Sequence, residues 1–357
     1  MKNAAATAVW ICLALFLSAG SCERQPPRST NKLGTDASFS DATAQQPTDS
    51  APKHASGWGF IDKTGKLVIE TQFTDAQPFR EGLAAVRVGQ KWGFIDASGK
   101  MVIEPRFGPD NYSGFSEGLA AVEVDGKWGF IDKTGKVVIE PTWKSAPDAF
   151  SDGFSKVETD REIVEGDTAG NAYELIDKTG KVVMQPTYLS FQSFSQGLAP
   201  VEVSHKWGFM DKTGTVVIKP QFDQVTYFRE GLCPVQIGQK WGVIDKSGKL
   251  VIQPQFAWLG PFAEGMAPYT SEEISSGGTN KFGMIDTAGN IIMKPRFSES
   301  TWFGEGLAMI KVDDHPRFID KMGGTVLDLK DFCNAWGFAE GLAPVEFCGD
   351  RGTLIID

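Results

Sequence analysis

Histidine is scarce in this chain: His54, His205 and His315 are the only ones in 357 residues. No H-x-x-x-H, C-x-x-C or His–Cys cluster occurs, so the spaced ligands that hold zinc are missing and neither a metal site nor a cofactor is expected. Clustered basic residues are missing too. Lys and Arg number 35 against 45 Asp and Glu, the net charge is −10, and the basic residues are spread along the chain. A surface for nucleic acid needs them gathered to displace counterions, so nucleic acid is excluded as a partner. No run has the length and 3.6-residue periodicity of an amphipathic helix, which leaves an all-β fold. No P-loop is present.

Glycine and phenylalanine, by contrast, are abundant, at 40 and 25 residues. They fit short strands joined by tight turns, because glycine supplies the positive φ that such turns demand.

The chain opens with Lys2 and an apolar run from Ala4 to Leu17, which has secretory length. A bilayer span needs ~20 apolar residues, and this run is shorter. It ends in Ala19-Gly20-Ser21-Cys22. Small residues before a cysteine resemble the lipobox of bacterial lipoproteins, with Ala19 where leucine is usual. The resemblance implies a signal peptide over residues 1–21, lipid attachment at Cys22, and export to a membrane-anchored position. Glu23 after the cysteine implies the outer membrane or cell surface. The alternative is an ordinary signal peptide and a secreted or periplasmic protein. Residues 22–57 are rich in Pro, Ser, Thr, Gln and Asp with Phe39 their only aromatic, a composition that cannot bury enough apolar surface to order itself. We expect a disordered tether with a span on the order of 35 Å.

From Trp58 to Asp357 one pattern recurs. Its clearest copy runs Lys206-Trp207-Gly208-Phe209-Met210-Asp211-Lys212-Thr213-Gly214, then Val216 to Pro220, then Phe228-Arg229-Glu230-Gly231-Leu232. Trp58, Trp92, Trp128, Trp207 and Trp241 open the clean copies, and Asp62, Asp96, Asp132, Asp211 and Asp245 close their first strands. Units of about 34 residues follow, eight in full, with Leu354-Ile355-Ile356-Asp357 a ninth first strand. Each unit reads as three short strands in a meander, with the aspartate capping a turn and proline ending the second strand. Fixed tryptophans are expected in the core, and the off-pattern Trp143, Trp258, Trp302 and Trp336 in loops, as apolar pins or ligand contacts. One Asp per unit supplies too few oxygens for calcium, and the recurring Glu of E-G suits a turn better than a glycosidase carboxylate pair.

K-W-G-F-I-D-K-T-G-K-V-V-I-E-P with F-x-E-G-L-A-x-V resembles the WG-repeat (KWG-repeat) family of bacterial proteins, over the whole of 58–357. The resemblance implies a strand-rich array and brings no catalytic activity or cofactor. Copies depart from it at Tyr173-Glu174-Leu175, Phe282-Gly283 and Arg317-Phe318. For the architecture we expect an open β-solenoid of about eight three-stranded units, because a first strand at 354–357 duplicates the one at Trp58–Asp62. A closed β-propeller-like ring is the alternative.

Three insertions fall at one connection type, between a third strand and the next tryptophan: Glu158–Ala172, Ser271–Asn280 and the region of Cys348–Arg351. One edge of the array is therefore variable, and loops on a rigid scaffold concentrate binding. Glu158, Arg161, Glu165, Glu272, Glu273, Asp350 and Arg351 are its candidate contacts. Cys333 and Cys348 flank the last third strand and can pair in an oxidising compartment, whereas Cys233 reads as a small core residue. The expected function is a non-enzymatic envelope lipoprotein, its array a binding or scaffold module for a protein or polysaccharide partner. The alternative is a hydrolase or carbohydrate-active protein with its site on the irregular edge.

Overall fold

The Trp-Gly step governs how each strand pair closes. In the segment Lys91–Ile95, Trp92 stands opposite Phe107 and Phe94 opposite Ile103, so Gly93 alone faces Glu104, Pro105 and Arg106. The opposing backbone bulges into the space a side chain would fill. A Cβ on Gly93 would lie 2.5 Å from the Ile103 carbonyl oxygen, and the same contact is 2.3–2.6 Å at Gly59, Gly129, Gly208, Gly242 and Gly283. Pro105 sits in that bulge without wasting a ladder donor, since it has no N–H. W-G and E-P are thus the two sides of one close approach.

These observations come from a computed structural model that describes residues 56–108, 114–165, 168–184, 190–272, 281–299, 301–313 and 315–348, with backbone alone at 161–165 and 168–171. Its described elements are strands and tight turns. The expected signal peptide, Cys22, most of the tether, Glu273, Asp350, Arg351 and the strand at 354–357 lie outside the described residues.

Eight antiparallel sheets form. Blade two is typical: Asp75–Ala76, Ala84–Val88, Lys91–Ile95 and Met101–Phe107. The L-A-x-V strand of one sequence unit pairs with the W-G-F-I-D strand of the next, so each blade straddles two units. Five sheets have four strands, because the segment before F-x-E-G adds a two-residue strand that the three-strand expectation lacked. That segment turns back at Glu81-Gly82, where Arg80 and Leu83 exchange backbone hydrogen bonds of 2.9 and 3.2 Å. Both turn residues have positive φ, 54° and 87°, the geometry of a two-residue type I′ hairpin.

The architecture is a closed eight-bladed β-propeller, not the open solenoid. Blade one combines both ends of the array: Asn334–Ala335 and Leu342–Phe347 from the C-terminal side, Gly57–Asp62 and Leu67–Phe73 from the N-terminal side. Gly57–Asp62 pairs with Leu342–Phe347 over six residues. The strand at Trp58–Asp62 therefore fills the slot that a ninth first strand was expected to take.

Neighbouring blades share their core. Phe60, Phe94, Phe130, Phe209 and Phe318 each meet the F-x-E-G phenylalanine of the following blade at 4.7–5.1 Å between ring centres. Each such pair adds about 0.5–1.5 kcal/mol beyond the area it buries. Of the repeated tryptophans expected in the core, Trp58, Trp92, Trp128 and Trp241 are buried, and Trp207 is half-buried against its cluster. On the last strand of each sheet the residues facing away from the core, Val68, Val102, Val217 and Val251, are exposed and mark the outer rim.

Where the motif decays, the bulge goes with it. In blade eight Arg317 replaces the glycine, and it pairs squarely with Asp328 while Phe318 pairs with Leu327. Asp328 accepts from Arg317 Nε at 3.0 Å and from His315 Nε2 at 2.8 Å, so an ionic pair replaces the backbone contact.

The close approach makes a sharp expectation. Gly208→Ala places Cβ 2.4 Å from the Ile218 carbonyl and should cost about 1–3 kcal/mol in urea unfolding. Gly337→Ala, where nothing lies within 4 Å, should leave stability within ~0.5 kcal/mol.

Candidate functional site

Each motif residue proposed for chemistry has a structural partner. Asp62 Oδ1 accepts from Thr64 N at 2.9 Å, Thr64 Oγ1 at 2.6 Å and Lys66 N at 3.2 Å. The pattern repeats at Asp96, Asp132, Asp211 and Asp245. These are turn caps. The hydroxyl donated by residue i+2 holds each of these carboxyls below the usual aspartate value.

The acids of the E-G turns link blade to blade. Glu81 accepts from Gly118 N, Glu117 from Gly153 N, Asp152 from Gly197 N and Gln196 from Gly231 N. Glu230, Glu264, Glu305 and Glu340 continue the relay to Gly265, Gly306, Gly341 and Gly82. Eight bonds therefore run in one direction around the ring and return to their start. Five are reinforced by the D-K-T-G lysine of the following blade or its equivalent, as in Lys133–Glu81 at 3.1 Å and Lys178–Glu117 at 3.0 Å. Each acid holds a positive φ of 52–56°, a strained choice for a non-glycine residue that the link to the next blade offsets.

Gly114-Phe115-Ser116-Glu117-Gly118 spells G-x-S-x-G, a string that suggests a hydrolase. The nucleophile of that signature needs a strand-to-helix elbow. Ser116 instead lies in a strand-end bridge to Leu119 and donates to the Phe150 carbonyl at 2.6 Å. It is another copy of the inter-blade turn.

The cysteines separate by environment. Cys333 and Cys348 are disulfide-bonded, with Cα atoms 6.1 Å apart. With Glu346 they form the one metal-type cluster among the described residues, and the disulfide consumes two of its three donors. Cys233 is fully buried, which pushes its thiol up to about 12 and leaves it unreactive.

Of the off-pattern tryptophans, Trp143 and Trp258 pack against blade cores, and Trp336 is the exposed one. Each L-A-x-V strand runs from its E-G turn to the opposite end of the blade, where it meets the next strand; the first insertion lies there, and most of the other two lies outside the described residues. The first one differs from the loop expected. Phe154–Glu165 and Thr168–Asp177 form a ribbon that stays paired out to Glu165 and Thr168. It carries Glu158, Arg161 and Glu165 on its first strand. Glu272 is exposed at the base of the second insertion.

One pair escaped the sequence reading. Arg80 and Arg229 occupy the same position, just before E-G, in blades two and six. The signal was their four-unit spacing, which puts them on opposite blades of a ring of eight.

The family of WG containing repeats matches seven segments: 58–92, 92–128, 128–161, 175–206, 207–241, 241–271 and 282–314. The chain belongs to the WG containing repeat family. A search of curated proteins finds no match. Among solved structures the chain is similar to Hsv2p of Kluyveromyces lactis, with 11% identity, TM-score 0.43 and coverage of 69% of this chain and 92% of that one. It is similar also to the acylaminoacyl peptidase of Pyrococcus horikoshii (14% identity, TM-score 0.42, 74% and 54% covered). A third is the Pan2 WD40 domain of Neurospora crassa (12%, 0.38, 77% and 89%). The propeller assignment of this WG-repeat chain rests on its own strand ladders.

Two outcomes follow. Glu230 receives Gly265 N at 2.9 Å and Glu264 N at 2.6 Å. Glu230→Ala should cost about 1–3 kcal/mol in chemical denaturation, while Glu230→Gln should cost less, since Gln196 already makes the equivalent bond at 2.8 Å. The capping aspartates also set an acid limit. Their folded values lie below the ordinary 3.8, so their stabilisation is present above 3.8 and lost as pH falls through the folded values. The thermal midpoint should stay level from roughly pH 8 to 5 and drop below about pH 4.

Proposed function

We propose that this WG-repeat propeller is a non-catalytic binding module, exported and tethered to a membrane through lipid on Cys22. Its partner is a protein or polysaccharide, engaged by the face on which the insertions lie. The observation that supports this most is the division of labour between the two faces. One face is taken up by capped turns and the Glu–Gly relay, whose side chains are spent on holding blades together. The other face carries the paired ribbon of blade four, which the ring does not need for closure. The motif acids all have structural partners, which favours binding over hydrolysis.

The ribbon is also the part that can be removed. Residues 159–171 can be excised and replaced by the two-residue turn Ser204-His205 that joins the equivalent strands of blade five. The trimmed ring should keep its unfolding midpoint and lose co-sedimentation with purified cell-wall polysaccharide or cross-linking to an envelope protein. Equal capture by both forms would overturn the assignment of this face. For the anchor, mass spectrometry of the mature N-terminus should find acyl chains on Cys22, and an unmodified terminus rejects it.

A further inference from the structure

Of the eight blades, only blade one is assembled from both ends of the array, and its central strand pair has no hairpin. In blades two, three, five and six the L-A-x-V strand passes into the W-G strand through two residues: Gly89-Gln90, Asp125-Gly126, Ser204-His205 and Gly238-Gln239. The first residue of each turn holds a positive φ, between 48° and 64°, as a two-residue hairpin demands. Leu342–Phe347 and Gly57–Asp62 pair over six residues, but no turn joins them. Their ladder starts at Phe347 opposite Gly57. Cys348 is the next residue, in the place that Gly89 and Gly238 take in the complete hairpins.

Cys333 and Cys348 are 15 residues apart and disulfide-bonded. The same separation carries a side-chain tie in two complete blades. In blade two Thr74 Oγ1 donates to the Gly89 carbonyl at 3.1 Å. In blade six Asp223 Oδ2 accepts from Gly238 N at 2.7 Å. The backbone around the three positions is alike: Thr74 N, Asp223 N and Cys333 N donate to the carbonyls of Arg87, Gln236 and Glu346 at 2.8–2.9 Å. The residue before the innermost strand thus reaches across to hold the end of the L-A-x-V strand. Blade one makes this tie covalently, at the turn position from which the hairpin is missing.

We propose that Cys333–Cys348 is a redox-operated clamp on ring closure. Oxidised, it closes residues 333–348 into a covalent loop that holds Asn334–Ala335, the Glu340-Gly341 turn and Leu342–Phe347 as one unit. The open state then loses more conformational freedom than the closed one. Reduced, the end of Leu342–Phe347 keeps neither hairpin nor covalent tie, and the ladder frays inward from Phe347 and Gly57. Cys348 is exposed, so a dithiol reductant can enter there. One thiolate of the reductant attacks Cys348 Sγ to form a mixed disulfide, and Cys333 leaves as a thiolate that takes a proton from water. The second thiol gives up its proton, attacks the reductant's own sulfur in the mixed disulfide, and releases Cys348 as a thiolate that is protonated in turn. Two electrons pass to the clamp, and the reductant ends as an internal disulfide. Cys233 takes no part, because it is buried.

The test is hydrogen exchange of the full chain, oxidised and after treatment with dithiothreitol. The closure ladder, 57–62 with 342–347, is followed against the hairpin ladder of blade five, Leu198–Val203 with Lys206–Asp211. Reduction should speed exchange in the closure ladder about a hundredfold, the effect expected from opening a loop of this length. Blade five should change by less than about threefold, since local opening leaves distant ladders protected. Re-oxidation should restore the first rates. Cys333→Thr combined with Cys348→Gly copies the Thr74–Gly89 tie without the covalent bond. That double variant should exchange like the reduced parent and ignore dithiothreitol. Unchanged exchange in a parent whose two thiols titrate as free, or equal acceleration in every blade, overturns the clamp. A double variant as protected as the oxidised parent overturns it too.

Discussion

Everything in this fold depends on one ladder, the pairing of Gly57–Asp62 with Leu342–Phe347. Eight twisted sheets in a row leave two raw ends, and each end is an unpaired strand edge and an uncovered apolar face. Lending the first strand pair to the last blade removes both at once. The shared cores then have no terminus: Phe60 of blade one packs on Phe79 of blade two, and Phe318 of blade eight packs on Phe338 of blade one. The same closure completes the Glu–Gly relay through Glu305 to Gly341 and Glu340 to Gly82. Terminal capping units, which an open stack requires, have no place here.

Much of the local structure was legible in the sequence. The strands, the capped D-K-T-G turn and the buried tryptophans follow from alternation, turn chemistry and the size of the indole. The glycine of W-G was legible as a fixed residue but not in its cause, because the bulge that needs it is built by a strand some ten residues further on. Closure was misjudged for a related reason. A repeat pattern describes each neighbour pair and is silent on whether the last unit meets the first, and the first-strand pattern read at 354–357 argued the wrong way. The variable edge was visible because insertions stand out against a fixed period, although paired strands, rather than loops, fill the first of them.

The two faces differ in what their side chains are free to do. On the relay face almost every motif side chain is engaged, in a turn, in a glycine N–H of the next blade, or in an ion pair. On the other face the connections bear little structural duty, so their length and composition can vary at small entropic cost.

The one-way relay also fixes a quantity that tandem arrays usually leave free. Each acid reaches its glycine only at the angle that eight equal steps produce. Gaining or losing a whole unit would change that angle at every junction simultaneously and would open the ladder that joins the two ends. Growth by unit duplication, the ordinary route by which repetitive genes lengthen, is therefore closed to this chain. What remains is growth within a unit, and the 45-residue step from Asp132 to Asp177 is where it has gone furthest.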